Sequence, residues 1–278
     1  MSGKQHKREL KRQKEAARAA ARRKQRQTTI FTGIVVAILV AIGAGIIYVS
    51  VQAPAEDVAA NPSETPSAAP TTAVDPLAER PVACGGQVPA SAGEDKPTFK
   101  RPEQVLDKGA DYQAVVTTSC GTVTIDLLED DAPKTVNSFA FLSADGFFNG
   151  LAIFRNATSI GALQTGSGTN DASWDVGYKL EDELKAAKGD GYPPGTVAMA
   201  NAGQDTGGSQ FFFVYNDKFK LPPQYTVFGR TDAKGLKVLR QIGKIPVVEP
   251  QPENPADPAA EAPSEVAWIE SVEITTSK

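Results

Sequence analysis

A single histidine, His6, and two cysteines, Cys84 and Cys120, limit the chemistry open to this 278-residue chain. His6 stands in a basic N-terminal tail, so no histidine base and no Ser-His-Asp triad is available to the rest of the sequence. Two cysteines are too few for a four-cysteine zinc site or a disulfide framework. The stretch from Gly195 to Phe213 stands out instead. It runs apolar to Met199, breaks into small, polar and glycine residues, and re-enters an apolar run with Phe211, Phe212 and Phe213 in succession. Its glycines let a backbone take positive φ or approach something closely. A hairpin with an aromatic core strand would explain the hydrophobicity. It would not explain so many specific identities at once.

Met199-Ala200-Asn201-Ala202-Gly203 followed by Gly208-Ser209-Gln210-Phe211-Phe212 resembles the signature of the cyclophilins, the peptidyl-prolyl cis/trans isomerases. Asp131 to Phe139 is similar to that family's first helix, and Gly177 to Glu183 and Tyr225 to Gly229 also match. The resemblance covers residues 112–276. It implies a groove in which Arg155 and Gln164 are catalytic. Ala200 and Asn201 would pair with the substrate main chain, Gln210 would be a second polar contact, and Phe212 would floor a proline pocket. Leu221 and Tyr225 would form its rim, with Tyr225 where the family commonly has histidine.

Two departures from the family pattern lie between Gly150 and Gln164. Counting forward from Gly150 puts Arg155 on the family's arginine position; counting back from Gln164 puts Asn156 there. One inserted residue reconciles the counts, and Arg155 is preferred because no other cation lies nearby. The family's bulky Phe-Met pair becomes Gly161-Ala162, which predicts a shallower pocket and reduced activity, with Ile160 filling part of the space.

The chemistry implied needs no nucleophile, metal or cofactor. An X-Pro bond has partial double-bond character and a rotation barrier of about 18–20 kcal/mol. At the barrier top the amide has lost resonance and its nitrogen is pyramidal and more basic. A guanidinium, always protonated and rigid, can donate to that nitrogen or stabilise the twisted carbonyl. An apolar pocket holding the ring then favours the twisted form over either planar one.

The elements that must position these residues follow from local pattern. Runs at 113–118 and 122–128 are β-rich and joined by Ser119-Cys120-Gly121, a hairpin signal. Residues 131–142 read as a helix with Asp131 as cap and Pro133 in the first turn. Further strands are expected around 152–155, 195–199, 211–215 and 225–228, a short helix at 234–242, an acidic Pro-rich loop at 246–265 and a last strand at 267–275. Many strands and two helices without strand–helix alternation predict a mainly β fold, a closed antiparallel barrel capped by two helices; the cyclophilin resemblance implies that the barrel has eight strands.

The charge balance divides the chain. Residues 1–26 hold 11 Lys/Arg against 2 Glu, leaving 18 basic and 31 acidic residues for the remainder. Such a tail can bind nucleic acid or anionic lipid; beside a membrane span it is the positive-inside flank, and no nucleic acid partner is expected. Ile30 to Val51 is a 22-residue run without charge, beyond the ~20 needed to cross a bilayer as a helix. A cleaved signal peptide is the rival, but its apolar region usually spans ~7–15 residues. The expected organisation is a basic cytoplasmic tail (1–29), a transmembrane helix (30–52), a Pro/Ala/Ser/Thr linker too poor in apolar side chains to order (53–83), a semi-ordered lead-in (84–111) and the cyclophilin-like domain (112–276). That makes a single-pass membrane protein, its N-terminus cytoplasmic and its domain extracytoplasmic, and with the resemblance it implies a bacterial, membrane-anchored form of the cyclophilin type. Exported protein sits where disulfides persist, so Cys84 and Cys120 are expected to pair, free thiols being the alternative. The expected partners are proline-containing polypeptides and, through one helix, membrane lipid. The expected function is isomerisation of X-Pro bonds in exported proteins. The alternatives are a catalytically weak proline-peptide binding module or chaperone, and a structural membrane protein whose barrel docks a partner.

Overall fold

The computed structural model describes residues 77–248 and 261–276. The predicted tail, membrane span and most of the linker lie outside them, as does the middle of the acidic loop. Among the described residues no helix is long and apolar enough to cross a membrane. A single 3-10 turn, Ala83–Gly85, precedes the first strand. The elements are then β1 (Tyr112–Thr118), β2 (Gly121–Leu127), α1 (Pro133–Ala144), β3 (Arg155–Ala157), β4 (Ala162–Thr165), α2 (Lys185–Asp190), β5 (Thr196–Met199), β6 (Phe211–Val214), β7 (Val227–Thr231), α3 (Ala233–Ile242) and β8 (Ile269–Thr276).

The strands form one eight-stranded sheet in the order β3-β4-β6-β5-β7-β2-β1-β8, every neighbouring pair antiparallel. The mainly β expectation holds, but closure differs from it. The sheet is a curled half-barrel whose ends, β3 and β8, do not pair with each other. The extended segment just before β3 bridges the gap: Gly150 and Ile153 donate to the carbonyls of Ile269 and Ala267, and Ile269 donates back to Leu151, each at 2.8 Å. The strand expected around 152–155 is therefore displaced. Residues 150–153 pair with the start of β8, and β3 begins only at Arg155. β4, four residues long, was not among the expected strands.

Among the described residues there are three helices, where two were expected to cap the sheet. The additional α2 is six residues, with Ala186 and Ala187 buried. Nor is Asp131 the cap of α1. Ala132 holds the N-cap position and makes no side-chain cap bond. The carboxylate of Glu183 supplies what the helix end lacks, accepting from the main-chain N–H of Lys134 (3.1 Å) and of Thr135 (2.9 Å). A helix start leaves four N–H groups without intrahelical partners, and an anion suits the positive end of the dipole. Asp131 instead pairs with Lys185 at 2.6 Å.

Strands β1 and β2 alternate as one-face-buried strands should, with Ala114, Val116, Val123 and Ile125 fully buried. β5 and β6 are buried on both faces. Phe211 and Phe213 enter the main core with Val197, Phe139 and Phe228, whereas Phe212 and Val214 turn to a second cluster with Ala198, Tyr192 and Phe219. That second cluster underlies the groove described below.

Residues 77–111 wrap the sheet. Val82 bridges to Val266 in parallel fashion, Leu77 packs with Phe154 and Trp268, and Phe99 meets Phe141 edge-on at 4.9 Å. Cys84 and Cys120 form a disulfide, Cα–Cα 5.1 Å, tying this wrap to the β1–β2 hairpin. The bridge spans 36 positions in sequence, and closing such a loop in the unfolded chain is worth about 3–4 kcal/mol. Changing both cysteines to serine should lower the unfolding free energy by that order in denaturant titrations, with amide exchange fastest around 77–86. Unchanged stability would show that the bridge is incidental to the fold.

Candidate active site

Register sets out the site. β3 and β4 pair with Arg155 opposite Gln164, Gln164 lies opposite Phe212 on β6, and Phe212 lies opposite Ala198 on β5. Directly opposed residues share a face, so these four form one row across the sheet. Gln210 and Ala200 stand two positions from Phe212 and Ala198 on the same face, where Ala200 donates its N–H to the Gln210 carbonyl at 2.9 Å. All eight residues expected at a site, Arg155, Gln164, Ala200, Asn201, Gln210, Phe212, Leu221 and Tyr225, line a single groove of about 1250 Å³.

The same register separates Arg155 from Asn156. In a strand the side chains alternate between faces, so one position's slip moves a residue to the opposite side. Asn156 is 1% exposed. It accepts from the Tyr215 hydroxyl at 3.1 Å and donates to the carbonyls of Gly243 and Ile245, each at 3.3 Å. It is a structural residue on the core side, and of the two it is Arg155 that faces the groove, which Arg80 and Lys179 also line.

Arg155 belongs to a directional chain of hydrogen bonds. Its Nη1 donates to Gln164 Oε1 at 2.9 Å, and Gln164 Nε2 donates to Gln210 Oε1 at 2.9 Å. Gln210 Nε2 then lies 3.3 Å from the Ala172 carbonyl and 3.4 Å from that of Trp174. A guanidinium only donates and a carbonyl only accepts, so both amide orientations are forced. At the other side Arg155 Nε donates to Glu261 Oε2 at 2.5 Å. Both side chains of this ion pair are partly exposed, 40% and 33%, so it adds at most about 1 kcal/mol to stability.

The apolar end is aromatic. Phe219 stacks on Phe212 at 5.3 Å and 18°, and Tyr225 meets Phe212 edge-on at 5.4 Å. Tyr192 fixes the Tyr225 loop: its hydroxyl accepts from the N–H of Gln224 and of Tyr225 and donates to the Tyr225 carbonyl. Burial pushes the Tyr192 phenol above its usual range. Ile160 and Ala162 complete the wall. Gly161 cannot stand in for a bulky residue: its φ is +71° and a Cβ there would meet Asn216 Oδ1 at 1.9 Å. Phe219 was missed from sequence, although an aromatic two residues before Leu221, amid Lys218, Lys220 and two prolines, was a usable signal.

Asn201 leaves its main chain unpaired. Its side chain is committed, donating to the Gln224 carbonyl at 2.8 Å and lying 3.4 Å from Asp182, while its main-chain N–H and C=O carry no hydrogen bond among the described residues. On the opposite rim, burial works to raise the Asp171 carboxyl, but hydrogen bonds from Ser173 and Thr169 outweigh it and hold it below the usual range. A hydrogen bond from Lys179 holds Asp175 low as well. No group of three or more metal-ligating residues occurs among the described residues.

The family model for cyclophilin type peptidyl-prolyl cis-trans isomerases matches residues 113–266, and the chain belongs to that family. It is 40% identical over 175 residues to the probable peptidyl-prolyl cis-trans isomerase B of Mycobacterium leprae, covering 57% of this chain and 58% of that protein. The Mycobacterium tuberculosis protein of that name is 38% identical, with 58% and 56% covered. The chain thus spans little more than half the length of these relatives. A peptidyl-prolyl cis-trans isomerase of Helicobacter pylori is 35% identical over 156 residues, 55% of this chain and 91% of that protein. In fold it is similar to a crystal structure of a Cryptosporidium parvum cyclophilin type isomerase, with a TM-score of 0.52 at 22% identity, covering 60% of this chain and 99% of that one.

Asn156→Ala should lower the unfolding free energy by about 1–3 kcal/mol, because buried partners lose their bonds. Isomerisation per folded molecule should stay unchanged. Loss of turnover without loss of stability would place Asn156, not Arg155, at the reacting bond.

Proposed function

We propose that this chain is a peptidyl-prolyl cis/trans isomerase acting on X-Pro bonds of exported proteins. The observation that carries this is one face of the sheet. A guanidinium, braced by two glutamine amides, shares it with an aromatic pocket at Phe212 and an unpaired main-chain segment at Asn201. The proline ring enters the pocket floored by Phe212 and rimmed by Phe219, Leu221 and Tyr225. The preceding peptide pairs with Ala200 and Asn201, and Arg155 donates to the amide as it twists. Everything needed is a fixed dipole or charge that binds the twisted form best. The fold relative from Cryptosporidium parvum was also crystallised in the presence of the dipeptide Ala-Pro, a ligand class that suits this pocket. The low wall at Ala162 weakens substrate contact, so turnover is limited chiefly by affinity.

The setting is a membrane surface. The uncharged run from Ile30 to Val51 anchors the chain, the basic tail stays cytoplasmic by the positive-inside rule, and the domain works outside the membrane on proteins that are folding there. The Cys84–Cys120 bridge supports such an oxidising location.

Assayed as the full chain, the protein should accelerate cis/trans exchange of short X-Pro peptides. Arg155→Ala should lower kcat by ~10²–10³, the order lost with one oxyanion-type donor, and weaken peptide binding far less. Peptide affinity without acceleration would instead assign the chain as a proline-peptide binding module. Protease added to intact cells or spheroplasts should remove the 112–276 domain and spare the tail; a protected domain would reverse the orientation.

A further inference from the structure

Among the described residues Glu261 is the one charged partner of Arg155, and neither the barrel nor the signature supplies it. It comes from the end of the acidic loop, 106 positions from Arg155 in sequence. The segment that presents it is built in place. Val248 donates to the Ala262 carbonyl at 2.9 Å and Ser264 to that of Pro246 at 2.8 Å, a short ladder directly beside Glu261. Arg80 Nη1 caps the Pro263 carbonyl at 2.6 Å, and Val266 donates to the Pro81 carbonyl at 2.8 Å. Three stretches distant in sequence thus converge to hold one carboxylate against Arg155 Nε.

We propose that Glu261 is a positioning residue for the isomerase reaction, a second tether that fixes the Arg155 guanidinium in the groove before substrate arrives. The inference rests on the isomerase function proposed above. Gln164 alone holds the guanidinium by one nitrogen, Nη1, about which a long and flexible side chain can still swing. Adding Nε to Glu261 fixes its plane, because two bonds to different nitrogens of one rigid group define its orientation. Glu261 takes Nε and leaves Nη2 without a protein partner among the described residues, so the two tethers leave one arm of the guanidinium free to donate. A donor held in place costs no reorganisation as the amide twists. The effect therefore falls on kcat, not on peptide affinity.

The experiment compares the full chain with Glu261→Ala and Glu261→Gln, each alone and with Arg155→Ala, by peptide isomerisation and by NMR of the Arg155 Nε–H group. Glu261→Ala should lower kcat by about tenfold, equal to about 1.4 kcal/mol, with KM nearly unchanged and thermal stability retained. Glu261→Gln, whose amide oxygen still accepts from Nε, should keep more of kcat than the alanine variant. In the Arg155→Ala background Glu261→Ala should do nothing further, since a residue acting through another loses its effect with it. The Nε–H group should be ordered in the parent chain and mobile in Glu261→Ala. An unchanged or raised kcat in Glu261→Ala overturns the tether, the latter showing a carboxylate that competes with substrate. An additive loss in the double variant overturns it as well. If the parent chain accelerates nothing, the isomerase function fails, and the order of the Nε–H group still decides whether Glu261 fixes Arg155.

Discussion

Because β6 is covered on both sides, its alternate residues serve two cavities at once. Phe211 and Phe213 fill the main core, and Phe212 is the floor of the groove. The strand cannot slip by one position without carrying a core phenylalanine into the groove and the groove's floor into the core. Everything the site needs is set by that register. β4 pairs with β6 so that Gln164 lies over Phe212, β3 pairs with β4 so that Arg155 lies over Gln164, and β5 places Ala200 beside Gln210. Hydrophobic burial, worth about 1.5–3 kcal/mol for each large side chain, therefore fixes the polar residues, which contribute little to stability themselves.

The polar chain across this floor works by exclusion. Arg155 offers only donors, and the carbonyls of Ala172 and Trp174 only acceptors. Gln164 and Gln210 between them have one arrangement that satisfies every contact, oxygen toward Arg155 and nitrogen away. A half-flipped amide would set nitrogen against nitrogen in a partly desolvated site, where mismatch costs more than the bond gains. The guanidinium is braced by a unique network rather than by a strong one.

How much of this was legible depends on how local each cause is. The segment from Met199 to Phe212 carries its own instructions: small residues for close approach, alternate phenylalanines for two faces and a glutamine at the groove. Sequence alone located it. Arg155 and Asn156 could not be separated by counting, because the counts from Gly150 and from Gln164 differ by one residue. A one-residue error in a strand exchanges a groove residue for a core one, and only the observed pairing with Gln164 resolves it. The cap of α1 was sought at Asp131, the nearest acid, and found at Glu183, 48 positions from Thr135. Short elements such as α2 and β4 lack the length over which periodicity can be read. The expected closed barrel is a curled sheet because β3, only three residues long, does not pair with β8, and residues 150–153 span the gap.

The wrap of residues 77–86 and the segment 261–266 show the same dependence at longer range. Neither has a strong pattern of its own, and an acidic Pro-rich stretch reads as a solvated loop. Each acquires order from the other: Val82 and Ala83 from Val266, Arg80 from Pro263, and both from the buried Trp268 and Phe154 with which Leu77 and Val266 cluster. The disulfide then fixes the wrap to the β1–β2 hairpin at Cys120. Order in this corner is cooperative, since removing one segment strips hydrogen bonds from the next and exposes the apolar cluster below. Glu261 stands at the start of the second segment, so Arg155 is braced on one side by strand register and on the other by segments that hold each other in place.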